Sequence, residues 1–427
     1  MPSTSTMDDT RTDGATPRDT AERNGTFTKR FLVLLFVSAV LLHAAGLNGK
    51  WRFQRDSAIY LSLARSMVEG RGYVHNGEFH TRYSPGLPAT LAAVGSATGM
   101  PEMPWDSFLP FNVVGAVAGL GCVAFMVLII RELGLGWIQA TVPVVLLTFS
   151  RTRYYYSVHI MTDVPFVCLA LGALWCGLRM RRSQGARSWA WCGGAALFAA
   201  AASMFRPVGP LLVPALAAGM WLHRDALRGW LPRAGKTLLI LLLVAAPIVA
   251  WSVYTQAKAP EAEVGYARNK LAPEQLVRRS AGLVTRWLEH PEGFADAVLG
   301  SNFGTITGLV LMGVMAVGLV VSVRRGERML SVFALLCMAA IVCGGWAIRR
   351  RYLLPALPVM LYWLVLGGTA IGGWLQRTDF WTAPRLRRLG WACVVCIMAV
   401  NVIRIGDLVW QNNSTDFYQR VEGGVVA

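Results

Sequence analysis

Charge is scarce in this chain. Only 15% of its 427 residues are Asp, Glu, Lys or Arg, and acids are the rarer sign, 24 against 41. An ordinary soluble domain carries about 25% charged residues, so water is a poor candidate for the solvent of most of this surface. Cysteines are few and unpatterned. All eight lie inside apolar runs, and Cys393-x-x-Cys396 has no second pair. That excludes a disulfide framework and leaves the thiols as small apolar packing residues. The six histidines lack zinc spacing. His75 and His80, with Glu78 between them, are a faint metal hint that reads better as a solvated loop. No cofactor or metal is called for. No internal repeat stands out, although secondary transporters often show one.

What is present is apolar sequence. It makes up 54% of the chain, and mean hydropathy is +0.44. Uncharged apolar runs occur at 31–47, 108–130, 133–150, 164–178, 188–205, 207–222, 237–257, 297–323, 329–348, 352–376 and 389–403. The expected fold is all-α, a polytopic membrane protein of about eleven transmembrane helices with a large first extracytoplasmic loop. Residues 1–30 read as a disordered cytoplasmic tail. The following run, after Lys29 and Arg30, has signal-peptide features at Ala44-Ala45-Gly46, but the polar leader and later spans favour an uncleaved first helix.

The net charge of +17 would suggest nucleic acid in a soluble protein. Here the basic residues punctuate apolar runs, which excludes nucleic acid in favour of orientation signals and lipid head groups. The loops at Arg131, Arg179–Arg187, Arg224–Lys236, Arg324–Arg328 and Arg377–Arg388 carry 16 Lys or Arg, and the short opposite loops carry 6. The richer set is expected inside. The transmembrane domain is 31–404, with outer loops 48–107 and 256–296 and a short extracytoplasmic tail at 405–427. Segment 83–101 is uncharged but holds Pro85 and Pro88, and is expected not to span. The expected location is a cell membrane, bacterial inner or plasma, crossed many times.

The first outer loop carries the chemistry. Tyr60, Leu63, Ala64 and Met67 recur at helical spacing, which predicts an amphipathic helix on the membrane surface. Asp56 stands at its start. It reads first as a helix N-cap, and alternatively as a carboxylate able to act as general base on a lipid-borne substrate. Arg82 is suited either to head groups or to a phosphate. Asp163 offers the same choice as Asp56, with Pro165 in the first turn of its helix. Arg349, Arg350 and Arg351 break the charge trend on the outer side, a mark of function. Arg206-Pro207 repeats the theme. The stretch Arg151 to Tyr156 suits an interfacial aromatic belt, or stacking on a sugar or lipid.

Asp56-Ser57-x-x-Tyr60, then Glu69-Gly70-x-Gly72-Tyr73, then Arg82-Tyr83-x-Pro85-Gly86-x-Pro88 resemble membrane glycosyltransferases of the GT-C fold. The nearest branch is that of aminoarabinose transferases and protein O-mannosyltransferases, many described as RgtA/B/C/D-like. Met161-Thr162-Asp163-Val164-Pro165-Phe166 and Arg350-Arg351-Tyr352-Leu353-Leu354-Pro355 extend the resemblance over about 30–360. It implies a polyprenyl-phosphate sugar donor, an extracytoplasmic acceptor (lipid, glycan or protein), inversion at the anomeric carbon, and Asp56 as the catalytic acid–base group. Asp163 is a second acidic candidate. Arg351, Arg350, Arg349, Arg82 and Arg206 are expected at the donor phosphate, and Tyr60, Tyr83 and Tyr352 against substrate. The alternative class is a secondary transporter or lipid flippase, which would place ionisable groups at mid-span.

Overall fold

The structure, a computed structural model, describes residues 17–52, 54–101, 107–222, 229–259, 279–280, 282–301, 303–344, 348–377 and 382–413. Seventeen α-helices are described: α1 (Pro17–Gly46), α2 (Arg55–Val68), α3 (Gly86–Thr98), α4 (Leu109–Leu133), α5 (Trp137–Thr148), α6 (Arg151–Ser157), α7 (Asp163–Arg182), α8 (Gly185–Phe205), α9 (Leu212–Trp221), α10 (Trp230–Lys258), α11 (Leu283–Glu289), α12 (Glu292–Leu299), α13 (Gly304–Arg324), α14 (Arg328–Cys343), α15 (Arg350–Leu353), α16 (Leu357–Leu375) and α17 (Ala383–Asn413). Between α2 and α3 a two-stranded hairpin pairs β1 (Val74–His75) with β2 (Glu78–Phe79). Asn76 and Gly77 both take positive φ in its turn, which suits a two-residue hairpin loop.

Among the described residues, seven helices are long and apolar enough to cross a membrane: α4, α7, α8, α10, α13, α16 and α17. The other four apolar runs form shorter helices in α1, α5, α9 and α14. The runs foreseen from hydropathy are therefore all helical, but only seven meet the length of a full span. α3 has 13 residues, so it is about 20 Å long against a hydrocarbon core of roughly 30 Å. Two boundaries differ from the sequence reading. α1 begins at Pro17, inside the expected disordered tail; Pro suits the first helical turn, and Ala21, Glu22 and Arg23 are good helix formers. α17 continues past 404 to Asn413, and 1–16 and 414–427 lie outside the described residues, as do 260–278 and 281 of the expected second outer loop.

Packing sorts the helices by solvent. α7 is central, with 78% of its apolar window buried against α4, α8 and α9, whereas α10 and α17 bury only 11% and 17%. The outward faces of those two carry Leu238, Leu241, Leu242, Val249, Val395, Val402 and Ile403, an apolar surface that only lipid solvates without cost. α13 and α16 pack closely. A Cβ added to Gly318 would strike the carbonyl of Trp363, and one added to Gly367 the carbonyl of Val314. Small residues at such crossings let backbones approach, which is how membrane helices gain contact without a hydrophobic driving force.

At one end of the bundle α2 lies over α3. Tyr60, Leu63 and Ala64 are buried, and Met67 packs on the same apolar cluster, as the spacing predicts. The turn before α3 is pinned twice. The Tyr73 hydroxyl donates to the carbonyls of Tyr83 (3.1 Å) and Ser84 (3.2 Å). Gly86 lies so close to the end of α8 that a Cβ would come within 2.6 Å of the Met204 carbonyl oxygen. The Pro85-Gly86 element thus docks the outer layer on α8, two residues before Arg206.

Candidate functional site

Four chain segments bring charged groups together at this end. α2 presents Asp56 in its first turn; its N-cap is Gln54, not Asp56. The Gln54 N–H donates to Ser57 Oγ at 3.0 Å, so the end of α2 is served without Asp56. α7 begins with Asp163, and its N-cap is Thr162. Neither carboxylate caps its helix, and both take other partners. Arg206 is the C-cap of α8, and α15 supplies Arg351.

The carboxylates share one guanidinium. Arg351 Nη2 stands 2.7 Å from Asp56 Oδ2, and its Nε lies 3.3 Å from each oxygen of Asp163. Arg206 Nη1 donates to Asp163 Oδ1. The Tyr83 hydroxyl donates to Asp56 Oδ1 at 2.8 Å. Asp163 is fully buried and has two arginine partners, whereas the Asp56 side chain keeps 19% exposure. One carboxylate is an enclosed anchor and the other meets the outside.

Electrostatics follow from this arrangement. Burial pushes the Asp56 carboxyl up, but Arg351, the Tyr83 hydroxyl and Arg82 overcome it and hold the group below its ordinary 3.8. Burial disfavours the charge on Arg351, and Asp163 and Asp56 reverse that, so its proton is held more tightly than usual. Tyr60 is pushed up to about 12, chiefly by burial, and sits edge-on to Tyr83 with ring centroids 5.0 Å apart. Tyr83 also stacks on His80 at 5.3 Å, and the Arg82 guanidinium stands 5.5 Å from its ring centroid.

The three consecutive arginines separate. Arg350 pairs with Asp296 Oδ1 at 3.7 Å and lies over the Tyr155 ring at 5.3 Å. Arg349 is exposed and caps α15, its carbonyl accepting from the N–H groups of Tyr352 and Leu353 at 3.0 and 3.2 Å. Arg351 does not begin a spanning helix, because α15 is a four-residue turn and α16 starts at Leu357. Its hold on an anion therefore comes from its side chain, not from a helix terminus. Tyr352 packs against the apolar core.

The aromatic stretch before α7 also departs from the expected belt. Tyr154 and Tyr156 are buried in protein. Arg153, buried with them, donates to the carbonyls of Leu147 (2.9 Å), Gly119 (2.9 Å) and Thr148 (2.7 Å). It ties α5 and α6 to α4. Tyr155 faces the site, accepting from Gln54 Nε2 at 2.7 Å. Asp296 and Gln54 were missed by sequence reasoning, although Gln54 lies within the Asp56 segment; Tyr155 belongs to the aromatic stretch that it had singled out. His75 stands opposite Glu78 in the hairpin, and its Nδ1 is 2.9 Å from Ser62 Oγ. Among the described residues no three His, Cys, Asp or Glu side chains converge as a metal site would require.

Residues 105–251 match the family of dolichyl-phosphate-mannose-protein mannosyltransferases. Solved structures align over most of the chain. ArnT from Cupriavidus metallidurans in the apo state aligns with a TM-score of 0.61 and 14% identity, over 90% of this chain and 77% of that one. The fold is that of the GT-C membrane glycosyltransferases. ArnT bound to undecaprenyl phosphate gives a TM-score of 0.59 at 14% identity, with the same coverage. The archaeal oligosaccharyltransferase AglB from Archaeoglobus fulgidus, in complex with an inhibitory peptide and a dolichol-phosphate, gives 0.56 at 13% identity over 90% of this chain. This chain spans 56% of AglB's length. No curated protein matches the sequence. The GT-C architecture agrees with the all-α, polytopic expectation.

Proposed function

We propose that this chain transfers one sugar from a polyprenyl phosphate to an acceptor hydroxyl on the extracytoplasmic side, with Asp56 as general base. The observation that carries the reading is the single guanidinium of Arg351 shared by a half-open carboxylate and a buried one, set in a GT-C fold. ArnT has been solved with undecaprenyl phosphate and AglB with a dolichol-phosphate, which supports a lipid-phosphate donor here.

The chemistry asks for two things: removal of a proton from the acceptor and stabilisation of the departing phosphate. Asp56 takes the acceptor proton. The acceptor oxygen attacks the anomeric carbon from the face opposite the phosphate, with inversion. The carbon–oxygen bond to phosphate breaks, and its electron pair leaves with the lipid phosphate. Arg351 and Arg206 neutralise that charge, with Arg350 and Arg82 nearby.

The resting pair adds a step. While Arg351 grips Asp56, the carboxylate is a weak base. A guanidinium has five N–H donors in a fixed fork, so Arg351 can keep Asp163 through Nε while Nη2 exchanges Asp56 for an oxygen of an arriving phosphate. Asp56 then loses its main counter-charge, and burial raises its basicity. The base is armed by the donor it acts beside. Asp163 is a positioning residue that holds Arg206 and Arg351 in place.

The deciding experiment incubates purified protein with defined polyprenyl-phosphate sugars and measures free lipid phosphate. Release that depends on an added acceptor supports the reading. Movement of intact donor across a vesicle membrane without cleavage would replace it with a flippase.

A further inference from the structure

α7 is about 30 Å long and carries charge at both ends: Asp163 at the site already described, and Arg179, Arg181 and Arg182 at the other. A cavity of about 470 Å³ lies at that far end, lined by Arg181, Arg182, Arg233, Lys236 and Arg325 together with Glu132 and Glu327. The charge trend of the loops puts this end inside the cell.

The acids in this cavity are committed. Glu132 binds Arg179 at 2.9 Å and Arg182 at 3.1 Å. Glu327 holds Arg325 at 3.2 Å, and also accepts from the hydroxyls of Ser322 (3.0 Å) and Tyr362 (2.7 Å). Among the described lining residues the cations outnumber the acids, five to two. Lys236 has neutral partners, the Ser188 hydroxyl at 2.6 Å and the face of Trp189 at 5.5 Å. Arg181 is half-buried, and the charged groups acting on it are two more cations, Arg182 and Arg328. Like charges gathered around a cavity repel unless an anion joins them. The same cavity has an apolar side made by Leu133, Leu178, Met180 and Met220. A ligand that suits both sides carries an anionic group and a hydrocarbon chain.

We propose that this cavity binds the phosphate group of a membrane lipid, with Arg181, Arg233 and Lys236 on the phosphate and Leu133, Leu178, Met180 and Met220 along the first part of the chain. Its volume falls within the range of small-molecule sites, roughly 300–1,000 Å³. Basic pockets between membrane helices on the inner side are the expected receptors for such head groups. The bound lipid joins the ends of α4, α7, α9, α10 and α13 at the point where their cations repel most. The site is independent of the Asp56 cluster and of the reading given for it.

The test uses the full-length protein, delipidated in detergent, and follows Tm and retained lipid by native mass spectrometry. Four additives are compared: phosphatidylglycerol, a diester; undecaprenyl phosphate, a monoester; phosphatidylcholine; and inorganic phosphate. Either anionic lipid should remain bound and raise Tm, and the better of the two identifies the head group. Phosphatidylcholine and inorganic phosphate should do neither. The double variant Arg181→Gln/Arg233→Gln should lose both effects at least tenfold in lipid concentration, whereas Arg71→Gln, at the other end, should keep them. If the double variant does not insert, Arg181→Gln alone and Arg181→Lys are compared, and only the first should lose the lipid. Equal protection by inorganic phosphate, or unchanged lipid retention in Arg181→Gln and the double variant, overturns the proposal.

Discussion

Arg351 bonds Asp56 through Nη2 at 2.7 Å while its Nε stays within 3.3 Å of Asp163. The exposed carboxylate is therefore never alone in the resting protein. Loss of that contact removes the largest of the influences that oppose burial and keep the group ionised.

Asp56→Asn keeps size and removes the proton acceptor. Because Gln54, not Asp56, caps α2, the substitution leaves the helix start intact. Turnover should fall at least ~100-fold, the usual contribution of a general base, with normal insertion and Tm. Normal release of lipid phosphate by this variant would remove Asp56 from the mechanism.

Arg351→Lys should separate binding from turnover. Lysine supplies one charge without the fork that spans Asp163 and a phosphate, so kcat should drop by about tenfold or more while donor KM moves less. Arg351→Ala should impair both. Arg349→Ala, at an exposed position, should change neither by more than about twofold; equal losses at Arg349 and Arg351 in kinetics with subsaturating donor would argue against a phosphate held through Arg351.

The pH dependence has a definite sign. Asp56 in the folded protein lies below its ordinary value, so its pairing stabilises the fold above about pH 4 and is lost as pH falls through the lower folded value. Arg351→Gln removes the strongest opposing influence and leaves burial faced only by the Tyr83 hydroxyl and Arg82. The Asp56 carboxyl should then rise above its ordinary value, and the native state should bind the extra proton. Relative to the parent protein, this variant should gain Tm between about pH 6 and pH 4. Tyr83→Phe should move the acid limb of activity upward in a milder way. A parallel Tm profile in Arg351→Gln and parent would refute the coupling.

The close approach of α13 and α16 predicts intolerance to any side chain. Gly318→Val and Gly367→Val each drive methyl groups into a backbone carbonyl, and overpacking of this kind costs about 1–3 kcal/mol or more. Both should lower Tm by several degrees in detergent. Gly313→Val, on the same helix with open space at its Cβ, is the control and should be near neutral.

The two ends of the bundle can be assigned to membrane sides by labelling. In a cysteine-light background, which removes the exposed Cys393 and Cys396, a membrane-impermeant maleimide should reach Ser62→Cys from outside intact cells. It should reach Ser183→Cys only after permeabilisation. Labelling of Ser183→Cys in intact cells would invert the orientation.

Local pattern carried much of this structure, and distance defeated the rest. The spacing of Tyr60, Leu63, Ala64 and Met67 was enough to predict α2, because a 3.6-residue period reports burial directly. Hydropathy found every apolar helix but not its length: Pro143 sits inside α5, and α9 follows a tight turn at Gly209–Leu211, so a run of apolar letters overstates the span. Asp56 and Asp163 were both visible as helix-start acids, yet their link through Arg351 depends on three remote segments meeting. In the Arg349-Arg350-Arg351 triplet, Arg351 stands out in sequence only as the member next to the apolar run, and no spanning helix starts there. Which member turns inward is decided by a one-turn helix that sends Arg350 to Asp296, Arg351 to the carboxylates and Arg349 to the exterior.

The sharing of Arg351 has a consequence for the end of the proposed cycle. The donor is a phosphodiester with one negative charge, and the spent carrier is a monoester with about −1.5 to −2 at neutral pH. The carrier therefore competes with Asp56 for Nη2 more strongly than the donor does. In that cycle departure of the empty lipid would be slow, and free polyprenyl phosphate is expected to inhibit competitively with donor. Re-formation of the Asp56–Arg351 pair would expel it, so the salt bridge that restrains the base at rest would also clear the site for the next turnover.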